Sequence, residues 1–119
     1  SQTYKSHIQV TLRSQQDSFS VDGAVFEDKY LRITGVNGFI FDVEPNGKMI
    51  FFKNTDVPGV VGMVGNTLAK HNINIADFRM ARKDKEALAV VVVDDDVNEA
   101  ILGELESIPA CLGLKYVIV

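Results

Sequence analysis

The sequence is poor in the residues that build cross-linked, metal-bound or polyanion-binding proteins. It has one cysteine, Cys111, among 119 residues, so it can form neither an internal disulfide nor a thiolate metal cage. We expect Cys111 to be a buried, inert side chain. Lysine and arginine total 12 against 16 aspartates and glutamates, which gives a net charge of −4. A nucleic-acid-binding protein needs a basic face, so this balance argues against nucleic acid as a partner.

Signals for membranes and for export are missing as well. No apolar run approaches the ~18 residues that a membrane-spanning helix requires. The N-terminal letters SQTYKSH contain no apolar core of a signal peptide, and the sequence does not begin with methionine. We therefore expect a cytoplasmic protein without a membrane partner, and a chain that is a fragment of something longer.

Catalytic and metal-binding patterns are also lacking. The sequence offers no nucleophile–base pair, no metal cluster and no cofactor fingerprint. His7 and His71 have no companion ligands nearby in sequence and are expected at the surface. The acidic run from Asp94 to Asp96 fits the solvated start of a helix, where the helix dipole favours negative charge. We therefore predict no catalytic residues, no metal and no cofactor in this chain.

The first part of the chain, residues 1–46, has the pattern of strands and turns. Its strand-like segments are HIQVTLR, FSVDGAVF, YLRITGV and FIFDVE. The first alternates apolar and polar residues, which is typical of a half-buried strand, and the last two flank Asn37-Gly38, a strong hairpin signal. No helix is available to cover these strands. We therefore interpret residues 1–46 as a β-rich partial domain whose core is completed elsewhere, in missing sequence or in a partner chain.

The second part, residues 47–119, follows the punctuation EPNGK and has a different pattern. Strand-like and helix-like segments alternate in the order βαββαβ, which is the split βαβ arrangement of a ferredoxin-like fold. The predicted fold class is therefore α+β, a four-stranded sheet with two helices on one face. The run from Ala87 to Val93 is apolar on both sides, and such strands expect both faces to be covered. We infer that an edge or the open face is buried by self-association or by a neighbouring domain.

The segment KNTDVPGVVGMVG, residues 53–65, lies where the first strand of this unit meets its first helix. Pro58 suits the first turn of a helix, and Asp56 near the helix start complements its dipole, so a plain capped helix is one reading. A phosphate loop fits poorly, because the last glycine is not followed by Lys-Ser/Thr and Asp56 would repel phosphate. A zwitterion fits better, since free N–H groups near Gly59 and Val60 suit a carboxylate and Asp56 suits an ammonium.

Asn74, at the start of the next strand, offers a further polar side chain to orient such a ligand. In a βαβ unit, however, that strand begins at the far end of the helix from Asp56. Two docked protomers could bring Asn74 of one chain to Asp56 of the other.

The letters NTDVPGVVGMVGNTLAKHNINIADFRMAR resemble the ACT domain family of small-molecule regulatory modules, and the resemblance covers about residues 47–119. The D-x-P-G start and the N-I-x-I second strand carry it. The stretch YLRITGVNGFIFDVEPNGKMIFFKNTDVPG is similar to the C-terminal region of bacterial D-3-phosphoglycerate dehydrogenases of the long type, in which an intervening domain precedes the ACT domain. That combination also occurs in bacterial iron–sulfur L-serine dehydratases, which therefore stay open as an alternative.

The resemblance implies a function and a set of residues. ACT domains of this family pair side by side, and L-serine binds at the interface as a feedback inhibitor of serine biosynthesis. The implied effector-binding residues are Asn54, Asp56, Gly59, Val60 and Asn74. Relatives often carry His or Tyr where this chain has Asn54. NAD would be a cofactor of the parent oxidoreductase only.

The intervening domain of the family can also bind an anion, for which Lys29 and Arg32 are the candidates here. A solvated strand edge is the alternative for these two residues. A pure assembly module that binds no ligand is a further alternative for the whole chain. The RNA-recognition version of the ferredoxin-like fold fits less well, because EALAVVVVD lacks aromatic and basic residues to contact RNA.

Overall fold

The computed structural model describes residues 9–12, 21–26 and 30–119, with side chains from residue 32 onward. The elements in chain order are β1 (Gln9–Leu12), β2 (Val21–Phe26), β3 (Tyr30–Val36), β4 (Phe39–Val43), β5 (Lys48–Thr55), α1 (Val60–Lys70), β6 (Ile75–Lys83), β7 (Glu86–Val93), α2 (Glu99–Glu106) and β8 (Cys111–Ile118). Within these ranges no helix is long and apolar enough to cross a membrane.

The large sheet has five strands in the order β1-β8-β5-β7-β6. All of its neighbouring strands run antiparallel. Strand β7 lies between β5 and β6, and strand β5 lies between β7 and β8, so each helix connects strands that are not neighbours, as a ferredoxin-like fold requires. The predicted α+β, βαββαβ fold is confirmed.

Both helices pack on one face of this sheet through apolar stripes. Helix α1 buries Val60, Val64 and Leu68, which are spaced four residues apart and therefore share one face of the helix. Helix α2 begins at Asn98, whose side-chain oxygen accepts a hydrogen bond of 2.9 Å from the Ile101 N–H. Such a cap satisfies one of the donors that every helix start leaves free.

Glu104 joins the end of α1 to α2. Its carboxylate lies 2.7 Å from His71 Nε2 and 3.1 Å from Lys70 Nζ. The hydrogen bonds from His71 and from Lys70 hold the pKa of Glu104 below its ordinary value. The charged form of Glu104 is thus favoured in the folded chain, so this contribution to stability is present above the pKa of an unfolded glutamate and is lost as pH falls through the folded pKa.

The face that the helices leave open is covered by the small sheet, which has the strand order β2-β3-β4. A second apolar core forms between the two sheets. Its buried members are Ile33, Val36, Phe39, Phe41 and Val43 from β3 and β4, and Met49, Phe51, Leu88, Val90 and Val92 from β5 and β7. This face was expected to be covered by self-association or by a neighbouring domain. Strands β3 and β4, from the segment interpreted as a separate partial domain, cover it.

Strand β1 adds a fifth strand to the sheet that was predicted to have four. It pairs with β8 at one edge of the large sheet, with Gln9 opposite Ile118 and Leu12 opposite Lys115, and not with the strands that follow it. An unpaired edge exposes a row of backbone donors and acceptors, and the pairing with β1 satisfies those along the outer edge of β8. Residues before 47 therefore contribute to both sheets, and a domain boundary between residues 46 and 47 stays a prediction.

Candidate functional site

The connection from β5 to α1 brings several predicted site residues together at one end of the large sheet. Strand β5 ends at Thr55 and α1 begins at Val60, with Gly59 as the N-cap residue. Gly59 has φ 92° and ψ −10°, a left-handed conformation that glycine adopts without steric cost. Among the described residues no side chain caps the helix, and its first turn carries no acidic residue. The first N–H groups of a helix have no partner within it, so this helix start suits an external acceptor.

The positive φ of Gly59 leads to a stability prediction with a matched control. A Cβ at Gly59 would meet nothing within 4 Å, so the cost of Gly59→Ala is conformational, and we expect a loss of about 1 kcal/mol in the free energy of unfolding. Gly62 also has open space around it but lies inside α1, where alanine is favoured over glycine by about 1 kcal/mol. Urea unfolding of the two variants should therefore give shifts of opposite sign, and equal shifts would contradict the assigned backbone conformation.

Asp56 is held from two directions by the hairpin that joins β6 and β7. Its backbone N–H donates to the carbonyl oxygen of Lys85 at 2.9 Å, and its Oδ2 lies 3.3 Å from Arg82 Nε. The hairpin turns through Asp84 and Lys85, with φ of 55° and 66°, as in a two-residue turn of type I′. Asp56 therefore does not cap α1, and its carboxylate is positioned by contacts with the hairpin.

Asn54 is buried at the same end of β5. Ile50 and Phe52 point into the core under the helices, and Asn54 continues that face because side chains alternate along a strand. Its side chain is only 2% exposed, and Nδ2 donates to the Thr55 carbonyl oxygen at 2.8 Å. Among the described residues, Asn54 Oδ1 has no hydrogen-bond partner. A buried acceptor without a partner is costly, which marks this position as one where a donor from outside the chain would be stabilising.

Asn74 lies at the opposite end of the sheet. Its Nδ2 donates to Asp94 Oδ2 at 2.6 Å and its backbone N–H donates to Asp95 Oδ2 at 3.2 Å. Asp56 contacts Arg82 near the end of β6, whereas Asn74 directly precedes that strand. The strand separates the two ends by about 25 Å, at about 3.3 Å per residue. Within one chain the structure therefore brings together Asn54, Asp56, Gly59 and Val60 but not Asn74, in agreement with the expectation from the βαβ topology.

Of the two candidate anion-binding residues, only Arg32 can be located, and it lies away from this end of the large sheet. Lys29 falls outside the described residues. Arg32, on β3, makes a close ion pair with Asp42 on the neighbouring strand β4, with Nε and Nη2 both 2.8 Å from Oδ1. Its guanidinium also donates to the Asp42 carbonyl oxygen at 3.3 Å. An anion would have to compete with this carboxylate, so the geometry gives an anion-binding role for Arg32 no support.

Sequence reasoning missed Arg82 and Lys85, which hold Asp56. The letters ARKDKE following a strand indicate a hairpin turn, but only the pairing of β5 with β7, with Thr55 opposite Glu86, brings that turn to the end of β5. Across the described part of the chain, no group of three or more His, Cys, Asp or Glu side chains could hold a metal ion.

Comparison with known proteins agrees with this architecture. The family model described as "ACT domain" matches residues 48–110. The chain is 30% identical over 116 residues to "D-3-phosphoglycerate dehydrogenase" of Bacillus subtilis (strain 168), covering 96% of this chain and 22% of that protein. It is 29% identical to the protein of the same name from Synechocystis sp., covering 88% and 19%.

A third relative has a different name. The chain is 30% identical over 102 residues to "Probable L-serine dehydratase, beta chain" of Bacillus subtilis, covering 84% of this chain and 46% of that protein. The chain thus spans about a fifth of the length of the dehydrogenases and less than half of the dehydratase chain. The match to the family model extends from β5, through the candidate site, to the end of the turn before β8, and the chain belongs to the ACT domain family.

Proposed function

We propose that this chain is the regulatory region of a D-3-phosphoglycerate dehydrogenase and binds L-serine between two copies of itself. The observation that carries the proposal is the convergence of Asn54, Asp56 and the uncapped start of α1 at one end of the large sheet. An amino acid presents an ammonium and a carboxylate on one carbon atom. The Asp56 carboxylate would hold the ammonium, and the N–H groups at Gly59 and Val60 would hold the carboxylate.

The outer edge of β6 supports a second copy as the partner. In the described residues β6 pairs only with β7, and its apolar side chains Ile75, Phe78 and Met80 are only partly buried. Two β6 strands that meet antiparallel across a two-fold axis would join the sheets into one. The Asn74 end of one strand would then lie beside the Arg82 end of the other.

The charges at the two ends of β6 favour this antiparallel arrangement. Acidic side chains surround Asn74 at one end, where Asp94 and Asp95 bond to it. The other end carries three exposed bases, Arg82, Lys83 and Lys85, against two exposed acids, Asp56 and Asp84. An antiparallel pair would place the acidic end of each copy against the basic end of its partner, and opposite charges across an interface favour the correct register. Each effector site would then combine Asp56 of one chain with Asn74 of the partner.

Serine held by both copies would stabilise one geometry of the interface and so act on whatever domains the two chains carry. A ligand shifts an equilibrium only by the difference between its affinities for the two states. A ligand that bridges two chains has such a difference, because it makes all its contacts only in the geometry that brings both halves of the site together. The parent enzyme would oxidise 3-phosphoglycerate with NAD bound to its own catalytic domain. The similarity to an L-serine dehydratase chain makes that enzyme the second candidate parent. L-serine would be the ligand to test in both cases.

Calorimetric titration of L-serine into the chain tests the proposal. We expect saturable heat for the wild type, and an affinity about 10- to 100-fold lower for Asp56→Ala and for Asn74→Ala, because each loses a hydrogen bond to a charged group. Ile40→Ala, on the exposed outer face of the small sheet, should bind as the wild type does. The absence of heat with a dimeric wild type would instead indicate an assembly module without a ligand. A chain that sediments as a monomer at high concentration would contradict the shared site.

A further inference from the structure

We propose, on the basis of the function proposed above, that Arg82 is a built-in competitor of the effector: it neutralises Asp56 in the unliganded chain and must leave before an ammonium can bind. The Arg82 guanidinium and the effector's ammonium compete for the Asp56 carboxylate. Arg82 Nε lies 3.3 Å from Asp56 Oδ2, which is close to the position that a bound ammonium would occupy. The pair therefore sets the affinity of the site.

The location of Arg82 on β6 makes this competition specific. Phe78 and Met80 pack against the core beneath the helices, and Arg82 follows on the same face because strand side chains alternate. Arg82 thus points towards the start of α1, where the effector's carboxylate would bind. Lys53, at the same end of the sheet, lies on the opposite face of β5 from Asn54 and pairs with Glu86 at 3.4 Å.

The two partners differ in how firmly they are held. Asp56 is anchored through its backbone N–H to the Lys85 carbonyl oxygen at 2.9 Å, and its side chain is 31% exposed. The Arg82 side chain is 71% exposed, so little packing holds it against the carboxylate. Ligand entry therefore moves the arginine and leaves the aspartate in place.

The exposure also sets the size of the effect. Ion pairs between exposed side chains are weak, so Arg82 lowers the affinity for an amino acid without closing the site. We expect Arg82→Gln to bind L-serine about two- to fivefold more tightly than the wild type. N-acetyl-L-serine, which lacks the ammonium, cannot replace the guanidinium and should not bind to the wild type.

Calorimetric titration of the 119-residue chain with L-serine tests the competition, with Lys53→Gln as the matched control. This variant loses one positive charge at the same end of the sheet but not the contact with Asp56, so its affinity should stay at the wild-type value. In an Asp56→Asn background, Arg82→Gln should have no effect, because the amide offers no charge to compete for.

The outcomes separate this proposal from the proposed function. Unchanged affinity in Arg82→Gln, with serine binding to the wild type, overturns the competition and leaves the site intact. Weaker binding overturns it as well and assigns Arg82 to the effector's carboxylate. An equal gain in Lys53→Gln would reduce the effect to general electrostatics and also overturn it. If neither the wild type nor Arg82→Gln binds serine, both proposals fall.

Discussion

Equal amounts of Asp56→Ala and Asn74→Ala chains, mixed and allowed to exchange subunits, are expected to regain high-affinity binding of L-serine, which each variant alone lacks because its affinity is about 10- to 100-fold lower. In a mixed dimer, one site carries both substitutions, and the other site has an intact Asp56 and an intact Asn74. Half of the dimers in a random mixture are mixed, and each has one working site of two, so the capacity should be about a quarter of the wild-type value. Calorimetry measures this capacity as the stoichiometry of binding.

A second mixture supplies the control. Wild type mixed with a chain that carries both substitutions forms mixed dimers in which each site has one lesion, so only the wild-type dimers bind. Before exchange, this mixture should have half of the full capacity, because half of its chains are wild type. After exchange, its capacity should fall to about a quarter. The single-variant mixture rises from near zero instead. No rise would show that Asp56 and Asn74 do not meet across two chains.

Phe51→Ala is expected to lower the free energy of unfolding by about 3–5 kcal/mol and to loosen the small sheet. Phe51 is 2% exposed and lies in the core between the two sheets, so its loss removes apolar contact that holds β3 and β4 in place. Urea unfolding measures the loss, and hydrogen exchange of the β3 and β4 amides locates it. We expect those amides to lose more protection than the amides of α1 and α2.

Phe52→Ala is the matched control, because the same change is made one residue away on the other face of β5. Phe52 is fully buried in the core beneath the helices, so the expected loss in free energy of unfolding is of the same size. Protection should fall first in α1 and α2 in this variant. Identical exchange patterns in the two variants would contradict the division into two cores.

The part of the fold from β5 to β8 was predictable from the sequence because its signals are local. Val60, Val64 and Leu68 recur at helical spacing, and the run from Ala87 to Val93 has the composition of a strand buried on both sides. These patterns set the type and order of the elements. The order of elements then restricts the topology, since few ways of connecting βαββαβ bury both helices on one sheet.

The pairing of the N-terminal strands could not be predicted in this way. Nothing within Gln9–Leu12 indicates β8 as its partner, because that pairing joins opposite ends of the chain. The same holds for the cover that β3 and β4 provide over Phe51. Such contacts depend on which surfaces remain free after the rest has folded.

The candidate site was predictable to the extent that it lies in one short segment. Asp56 and Gly59 could be identified from the order of acid, proline and glycine at a helix start. The missing partner of Asn54 Oδ1 and the contact of Arg82 with Asp56 could not, because both depend on contacts between distant parts of the sequence. The first feature requires knowledge of burial, and the second requires the pairing of β5 with β7, which carries the β6–β7 hairpin to Asp56.

The short connection between β4 and β5 has a consequence for how the two sheets associate. Only residues 44–47 separate Val43 from Lys48, so the small sheet is held next to its docking face by a tether of a few residues. Docking is therefore intramolecular, at an effective concentration in the millimolar range or above for so short a link. An apolar contact that would be weak between separate molecules is thus populated continuously, and cleavage of this connection would leave β1 to β4 held to the rest of the chain only by the pairing of β1 with β8 and by the apolar contact between the sheets.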